Sequence, residues 1–186
     1  MSVTLTPSQQ DVLDAVVAMP PGGVLVFSGA AGTGKSTVVR AIVDALPGGI
    51  IPVVCAPTGR AAARLKALGV AESKTVHGFC YTLKGKASSG DPIFQAVGAL
   101  LVGKGRWIII DEASMVGPDM AADLDAFRER YGLRLVFVGD SFQLPPVVAE
   151  EHSGFNIMSG SHFTSATRKN LDEVHRQALD SPVLSF

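Results

Sequence analysis

The stretch GAAGTGKS at residues 29–36 constrains the fold of this chain more than any other feature of its sequence. An apolar run ends directly before it, and a helical pattern begins at its lysine. The pattern GxxxxGK[ST] between a strand and a helix forms a phosphate-binding loop, in which glycines let consecutive backbone N–H groups turn toward phosphate oxygens. The alternative is a glycine-rich turn that only joins a strand to a helix, but such a turn needs neither the lysine nor the serine.

The loop predicts a nucleoside triphosphate as ligand, bound together with Mg²⁺. Lys35 is expected to neutralise the β and γ phosphates, and the Ser36 hydroxyl is expected to ligate Mg²⁺. The predicted nucleotide-binding residues of this segment are Gly29, Ala30, Ala31, Gly32, Thr33, Gly34, Lys35, Ser36 and Thr37.

Two acids follow a second apolar run, in IIIDEAS at residues 108–114. Asp111, at the tip of the predicted strand, is expected to belong to the magnesium site, as the second acid-bearing strand does in phosphate-loop enzymes. Glu112 is then the natural general base for water, so the DE pair favours hydrolysis over phosphoryl transfer to another substrate. The alternative is that Asp111 or Ser114 only caps the helix that follows.

A third apolar run, in LVFVGDSFQLPPV at residues 135–147, is typical of a strand covered on both faces in a parallel sheet. Ligands of such sheets bind at the carboxyl ends of the strands, where Asp140 and Gln143 are placed. If Ile110 and Val138 end neighbouring strands beside the loop, Gln143 can hydrogen-bond the γ-phosphate or the attacking water. An amide suits that position because it donates and accepts hydrogen bonds without adding charge.

Helical and strand patterns alternate along the chain, which predicts an α/β fold with a mainly parallel sheet flanked by helices. The 186 residues, 47% of them hydrophobic, suffice for one well-buried domain spanning residues 1–186. Strands are predicted at residues 24–28, 50–56, 107–110 and 133–138, and helices at 6–18, 35–46, 58–68 and 118–131.

Composition excludes several classes of protein. No stretch approaches the roughly twenty apolar residues of a membrane-spanning helix, and the start MSVTLTPSQQ has no signal-peptide pattern. We therefore expect a soluble, cytoplasmic protein with no membrane partner. Cys55 and Cys80 lack a CxxC spacing, so buried small side chains are predicted rather than a disulfide or a zinc site.

Charge is unevenly distributed although the net charge is only −1. Between Arg60 and Arg106, eight lysines and arginines stand against two acids, a local charge of +6, whereas the remainder carries −7. A basic segment within an acidic domain can bind a polyanion at one place. The count fits a solvated surface of uneven charge equally well.

Five motifs occur together in the order and approximate spacing of superfamily 1 helicases, and the chain most resembles their RecD-like 5′-to-3′ subgroup. They are GAAGTGKS, APTGRAA at residues 56–62, TVH at 75–77, DEAS at 111–114 and GDSFQLPPV at 139–147. The resemblance implies a RecA-like motor domain that binds ATP, Mg²⁺ and single-stranded DNA.

The same resemblance implies roles for further residues. Gln9 matches a glutamine that reads adenine, although Thr6 to Gln9 also form a capping box with proline at the first helical position. Arg176 matches an arginine delivered to the nucleotide, and a surface charge is its alternative. The residues implied in DNA contact are Pro57, Thr58, Gly59, Arg60, Arg64, Thr75 and His77. An ordinary helix start at Thr58 and a simple turn before Phe79 are the alternatives for these segments.

Residues 82–106 fall where the subgroup inserts a strand-separating hairpin, called the pin. The sequence departs from that pattern, because Asp91 and Pro92 followed by apolar residues to Leu101 predict a capped amphipathic helix. Residues 82–106 are therefore a candidate pin or insert region, and the sequence leaves open whether a working pin is present.

The subgroup places ATP between two RecA-like domains, and only the first is expected within these 186 residues. The second would come from a longer chain or from a partner. Two functions remain: the first motor domain of an ATP-dependent DNA helicase, or a nucleotide-switched binding module without productive hydrolysis.

Overall fold

The structure, a computed structural model, describes residues 4–47, 50–67, 70, 73–86, 89, 92–96, 106–140, 153–159 and 162–172. Its helices are α1 (Pro7–Val17), α2 (Lys35–Ala45), α3 (Gly59–Ala67), α4 (Val76–Cys80) and α5 (Pro118–Tyr131), with a 3₁₀ turn at Ala113–Met115. Its strands are β1 (Val24–Gly29), β2 (Val53–Ala56), β3 (Ser73–Thr75), β4 (Tyr81–Lys86), β5 (Pro92–Ala96), β6 (Trp107–Ile110), β7 (Arg134–Gly139) and β8 (Thr167–Leu171).

Six of the strands form one sheet in the order β3-β2-β6-β7-β1-β8. Every neighbouring pair in it is parallel, which confirms the predicted α/β class. Because parallel neighbours need crossover connections, helices cover the sheet on both faces. All six strands therefore end at the same edge, which we call the carboxyl edge.

The two faces of the sheet explain the continuous apolar runs. In β7, Leu135 and Phe137 point into one buried cluster and Val136 and Val138 point into the other. Phe79 and Leu124 close the first cluster, and α1, α2 and α3 close the second. A strand buried on both sides has no polar face, so its sequence does not alternate.

The four predicted strands and four predicted helices are all present, with bounds that differ by at most three residues among those described. The condition on which the role of Gln143 depends is met for the strands, since β6 and β7 are neighbours and β7 lies beside the loop-bearing β1. Strands β3, β4 and β8 were not predicted.

The helix predicted from Asp91 onward is wrong for residues 92–96, which form β5 paired antiparallel with β4. Leu83 faces Phe94 and Gly85 faces Ile93 across this hairpin, with a bulge between Leu83 and Gly85. Ile and Phe favour strands, and Pro is tolerated at the start of a strand.

Within the described ranges, none of the helices is long and apolar enough to cross a membrane. Cys55 and Cys80 are both free and buried, as predicted.

Candidate nucleotide and nucleic-acid site

The predicted site segments lie side by side along the carboxyl edge of the sheet. In spatial order they follow β3 (Thr75 and His77), β2 (residues 57–60), β6 (Asp111 and Glu112), β7 (Asp140) and β1 (the loop at residues 29–36). Neighbouring strands are about 4.8 Å apart, so β3 and β1 are separated by roughly 19 Å. The predicted DNA contacts therefore lie at one end of the row, the phosphate loop lies toward the other, and the two acids lie between them.

The phosphate loop is closed by short internal contacts. The Thr33 hydroxyl donates to the Ala30 carbonyl at 2.9 Å. The Lys35 ammonium donates to the carbonyls of Gly29 at 2.6 Å and Ala30 at 2.9 Å. A Cβ at Gly29 would lie 2.4 Å from Thr33 Oγ1, so a larger residue would force this turn open. The loop thus holds its lysine over its own backbone, at the place where its N–H groups converge.

Gln9 lies against this loop, and its side chain is 2% exposed. The capping box predicted at α1 is confirmed, with Thr6 as N-cap and Gln9 as its reciprocal partner. The Gln9 amide also reaches the loop, because Nε2 donates to the Thr33 carbonyl at 3.1 Å. The predicted contact of Gln9 with adenine stays a prediction.

The acidic pair follows β6 directly. The Asp111 N–H donates to the Cys55 carbonyl at 2.8 Å, which continues the ladder between β6 and β2. The Asp111 carboxylate accepts the Glu112 N–H at 3.0 Å. The N-cap residue of helix α5 is Gly117, so neither Asp111 nor Ser114 holds the N-cap position of that helix. The capping alternative is therefore excluded.

Burial raises the pKa of Asp111 above its ordinary value. The Glu112 N–H bond and the positive charges of Arg64 and Lys35 act in the opposite direction and lower that pKa. Lys35 of the phosphate loop and Arg64 of α3 therefore both exert their charge on this carboxylate. A partly buried carboxyl that feels two positive charges, on the strand two places from the loop, fits a metal ligand better than a surface acid.

Glu112 has φ 51° and ψ 39°, and it is the only non-glycine residue with positive φ in the described part of the chain. This left-handed conformation is unfavourable for a side chain with a Cβ. It ends the strand abruptly and begins the 3₁₀ turn Ala113–Met115. Such strain concentrates at functional sites, where the surrounding structure imposes it.

Asp140 follows β7 and is buried, beside the strand that carries the phosphate loop. Two predicted catalytic residues, Gln143 and Arg176, fall outside the described residues, and their roles stay predictions.

The predicted DNA segment after β2 begins α3. Thr58 accepts the Ala61 N–H at 3.2 Å, so its side chain caps the helix. Thr58, Gly59, Arg60 and Arg64 are exposed. The alternative interpretation of Thr58, an ordinary helix start, is thus observed. The capping bond, however, uses only a lone pair of the Thr58 hydroxyl oxygen. The hydroxyl hydrogen can still donate to a phosphate oxygen.

Thr75 repeats this arrangement on the next strand, where it accepts the Gly78 N–H at 2.9 Å and caps α4. The exposed His77 ring contacts the Tyr81 ring in a tilted arrangement, with centroids 4.7 Å apart. The Tyr81 hydroxyl donates to Asp123 of α5 at 2.5 Å. The β4–β5 hairpin therefore starts from a residue that contacts both His77 and α5, a contact that the sequence did not indicate.

Strand β8 adds a further polar side chain beside the loop. The Ser28 hydroxyl, one residue before Gly29, donates to Asn170 at 3.0 Å. The sequence TRKNL has only one buried residue in five, so no apolar run marks it as a strand. Nothing in its local pattern predicts this neighbour of the loop.

Comparisons with known proteins agree with these features. A model of the family described as AAA domain matches residues 4–183. The ATP-dependent RecD2 DNA helicase of Deinococcus radiodurans is 33% identical over 184 residues, covering 97% of this chain and 23% of that protein.

Two solved structures of Pif1 helicases share the fold. One, from a study of DNA unwinding at forked double-stranded DNA, has a TM-score of 0.67 and 26% identity over 97% of this chain and 46% of that one. The other, from a Bacteroides species in complex with ADP-AlF4, has a TM-score of 0.64 and 25% identity over 95% and 44%. The chain thus spans less than half of each of these proteins.

Proposed function

Because the chain belongs to the AAA domain family, we propose that it is the ATP-binding and ATP-hydrolysing motor domain of a DNA helicase that binds single-stranded DNA. The resemblance to superfamily 1 helicases is confirmed at the level of family and fold. The observation that carries the proposal is the row along the carboxyl edge, in which one acidic pair separates a phosphate loop from exposed basic and hydroxyl side chains.

At the nucleotide end, residues 29–37 cradle the triphosphate of ATP. The carbonyls of Gly29 and Ala30 hold the Lys35 ammonium at the loop, where β- and γ-phosphate oxygens can take over its hydrogen bonds. Ser36 and Asp111 supply hard oxygen ligands for Mg²⁺, and phosphate oxygens and water complete such a shell. When bound, Mg²⁺ neutralises charge that develops on the phosphates.

Hydrolysis is assigned to Glu112, which accepts a proton from the attacking water. Its left-handed backbone ends β6 one residue beyond Asp111. Gln143 orients that water or the γ-phosphate, and Arg176 adds positive charge to the same phosphate. Gln143 and Arg176 are assigned these roles from their sequence motifs, because both lie outside the described residues.

At the DNA end, residues 57–60 and Arg64 form a first contact with the phosphate backbone. The amino end of α3 points toward the carboxyl edge, and its exposed N–H groups favour an anion there. Thr75 and His77 extend this contact along the neighbouring strand. The exposed His77 ring offers a surface on which a base can stack.

We also propose that a second RecA-like domain, in the same chain or in a partner, completes the nucleotide site. Relatives of this chain are two or more times longer. Translocation needs two DNA-binding sites whose separation changes with ATP, and the described sheet provides one of them.

Binding of a labelled single-stranded oligonucleotide across a range of salt concentrations tests the DNA end. Each lost phosphate contact should lower the slope of log affinity against log salt by about 0.7. Arg60→Ala should show this loss. Arg40→Ala, which removes an exposed arginine paired with Asp44 on α2, should not. A salt-independent affinity, or equal slopes for both variants, would contradict the proposed DNA surface.

ATP hydrolysis, measured with and without single-stranded DNA, separates the motor from the nucleotide-switched module. We expect slow hydrolysis by the 186-residue chain and clear stimulation by DNA once a second RecA-like domain is added. MgATP binding without any hydrolysis in either case would favour the switch.

A further inference from the structure

We propose that Met158 is a positioning residue for ATP hydrolysis, because its side chain supports the turn that begins at Glu112. The inference rests on the proposed ATP-hydrolysing function and adds to it a residue that lies outside all five sequence motifs. Met158 acts through the backbone of the 3₁₀ turn Ala113–Met115 and not through contact with ATP.

Met158 lies against the end of β7, beside the turn that follows β6. A Cβ at Gly139 would lie 3.0 Å from Met158 Sδ, 3.2 Å from Met158 Cε and 3.4 Å from the Ser114 backbone nitrogen. The thioether and the turn therefore approach the same side of Gly139, where the missing Cβ leaves room for close packing. This side of β7 leads directly to Asp140.

The turn that Met158 approaches is buried and begins in an unfavourable conformation. Ala113 and Ser114 are 0% exposed, and Glu112 before them has φ 51°. A residue with a Cβ keeps such a conformation only where neighbouring atoms impose it. The Met115 N–H closes the turn by donating to the Glu112 carbonyl at 3.1 Å. Met158 packs in the same apolar cluster as Ala113, so it is one of the neighbours that hold the turn.

The segment that carries Met158 is itself fixed to β7 and β8. The Arg168 guanidinium on β8 donates to the carbonyls of Met158 at 2.8 Å and Phe163 at 3.2 Å. The Phe163 ring packs on Phe137 of β7, with ring centroids 5.1 Å apart. The Met158 N–H donates to Asn156 Oδ1 at 2.8 Å. Met158 is therefore held in place from its backbone while its side chain packs at the carboxyl edge.

The phosphate loop is closed by its own contacts and does not need this support. The Thr33 hydroxyl and the Lys35 ammonium both bond to carbonyls within the loop. Loss of the Met158 side chain should thus leave ATP binding nearly intact. Hydrolysis should fall, because a general base must be placed accurately against the attacking water.

The test compares Met158→Ala with Met19→Ala. Both methionines are 7% exposed. Both also cover a glycine, since a Cβ at Gly23 would lie 2.4 Å from Met19 Cγ. Met19, however, packs in the other apolar cluster and precedes β1, at the opposite edge of the sheet. Met19→Ala therefore controls for the loss of a buried methionine, and Met158→Leu, which nearly conserves volume, should behave as the wild type.

Amide hydrogen exchange without ligand is the first readout. The N–H groups of Met115 and Val116, bonded to the carbonyls of Glu112 at 3.1 Å and Ala113 at 3.0 Å, report the turn. Relative to Phe27 in β1, their exchange should rise about three- to tenfold in Met158→Ala, the range of one hydrogen bond. It should stay unchanged in Met19→Ala and Met158→Leu. Unchanged exchange in Met158→Ala, or an equal rise in Met19→Ala, would overturn the inference whether or not the protein hydrolyses ATP.

Single-turnover hydrolysis and MgATP affinity are the second readout. Met158→Ala should lower the hydrolysis rate at saturating MgATP about ten- to a hundredfold and keep the affinity within about threefold. A wild-type rate, or a loss of affinity as large as the loss of rate, would overturn the inference. Failure of the wild-type chain to hydrolyse ATP would instead contradict the proposed function, and the exchange result would still decide whether Met158 supports the turn.

Discussion

Removing the Tyr81 hydroxyl tests whether the β4–β5 hairpin is anchored to the body of the domain. Tyr81 begins β4, and its hydroxyl donates to the Asp123 carboxylate of α5 at 2.5 Å. Burial raises the pKa of Tyr81, and the hydrogen bond to Asp123 raises it further, so the phenol keeps its proton and remains a donor at neutral pH. Tyr81→Phe deletes this bond and keeps the ring that contacts His77.

The expected cost follows from the environment of the bond. A hydrogen bond to a charged group contributes about 1.5–3 kcal/mol when it is well shielded. Tyr81 and Asp123 are both only partly buried, so water can replace part of the lost interaction. We therefore expect Tyr81→Phe to lower the free energy of unfolding by about 1–2 kcal/mol. In a domain of this size, that corresponds to a drop in Tm of roughly 2–8 °C.

Urea denaturation measures this change, with a lower midpoint and an unchanged m value as the expected signature. Tyr131→Phe is the matched control, because Tyr131 is the other tyrosine of the chain and its hydroxyl has no hydrogen bond with the described residues. It should change stability by less than about 0.5 kcal/mol.

A double-mutant cycle with Asp123→Asn isolates the pair. If the hydroxyl acts through Asp123, the two substitutions should be strongly non-additive. Equal effects of Tyr81→Phe and Tyr131→Phe, or full additivity with Asp123→Asn, would refute the anchoring role.

Two further outcomes follow from single side chains. Lys35→Ala should weaken MgATP binding by at least about thirtyfold, because an unpaired triphosphate charge costs 2 kcal/mol or more; calorimetry showing affinity within threefold of wild type would exclude the assigned role. Cys55 and Cys80 should resist alkylation at pH 8 in the native protein and react fully after unfolding, since both thiols are buried. Burial and then the charge of Asp123 raise the pKa of Cys80 to about 12, so its contribution to stability is complete below the unfolded thiol's pKa of roughly 8.5 and declines as the pH rises toward 12. Cys80→Ala should flatten that alkaline decline.

The parts of the fold that sequence predicted are those whose signals are local. The loop GAAGTGKS fixes a strand before it and a helix after it, because the lysine and the glycines are useful only in that setting. The apolar runs of β6 and β7 are buried on both faces, so composition alone marks them. Because parallel strands end at one edge of the sheet, the position of Asp111 near the loop was also predictable from sequence.

The missed parts depend on partners distant in sequence. Strand β8 is mostly exposed and pairs with β1 from an edge, so little of it needs to be apolar. Strands β4 and β5 form a sheet of their own, and the exposed Leu83 and Ile93 within it give no local signal of a buried strand. Tyr81 and Asp123 meet although 42 positions separate them. The hydrophobic pattern of neither segment indicates this contact.

The sequence predicted a functional carboxylate at Glu112 but gave no indication of its left-handed backbone. Its φ of 51° is unfavourable by about 1 kcal/mol for any residue with a Cβ. Glycine at this position would remove the strain, so Glu112→Gly should raise the free energy of unfolding by up to about 1 kcal/mol while reducing single-turnover ATP hydrolysis. Glu112→Gln is the matched variant: it keeps the strain, should leave stability unchanged, and should lose hydrolysis because the amide cannot accept the proton. If the glycine variant is no more stable than the glutamine variant, the backbone of Glu112 is not strained. If both variants hydrolyse ATP at the wild-type rate, the carboxylate is not the base, and the left-handed turn serves only to end β6.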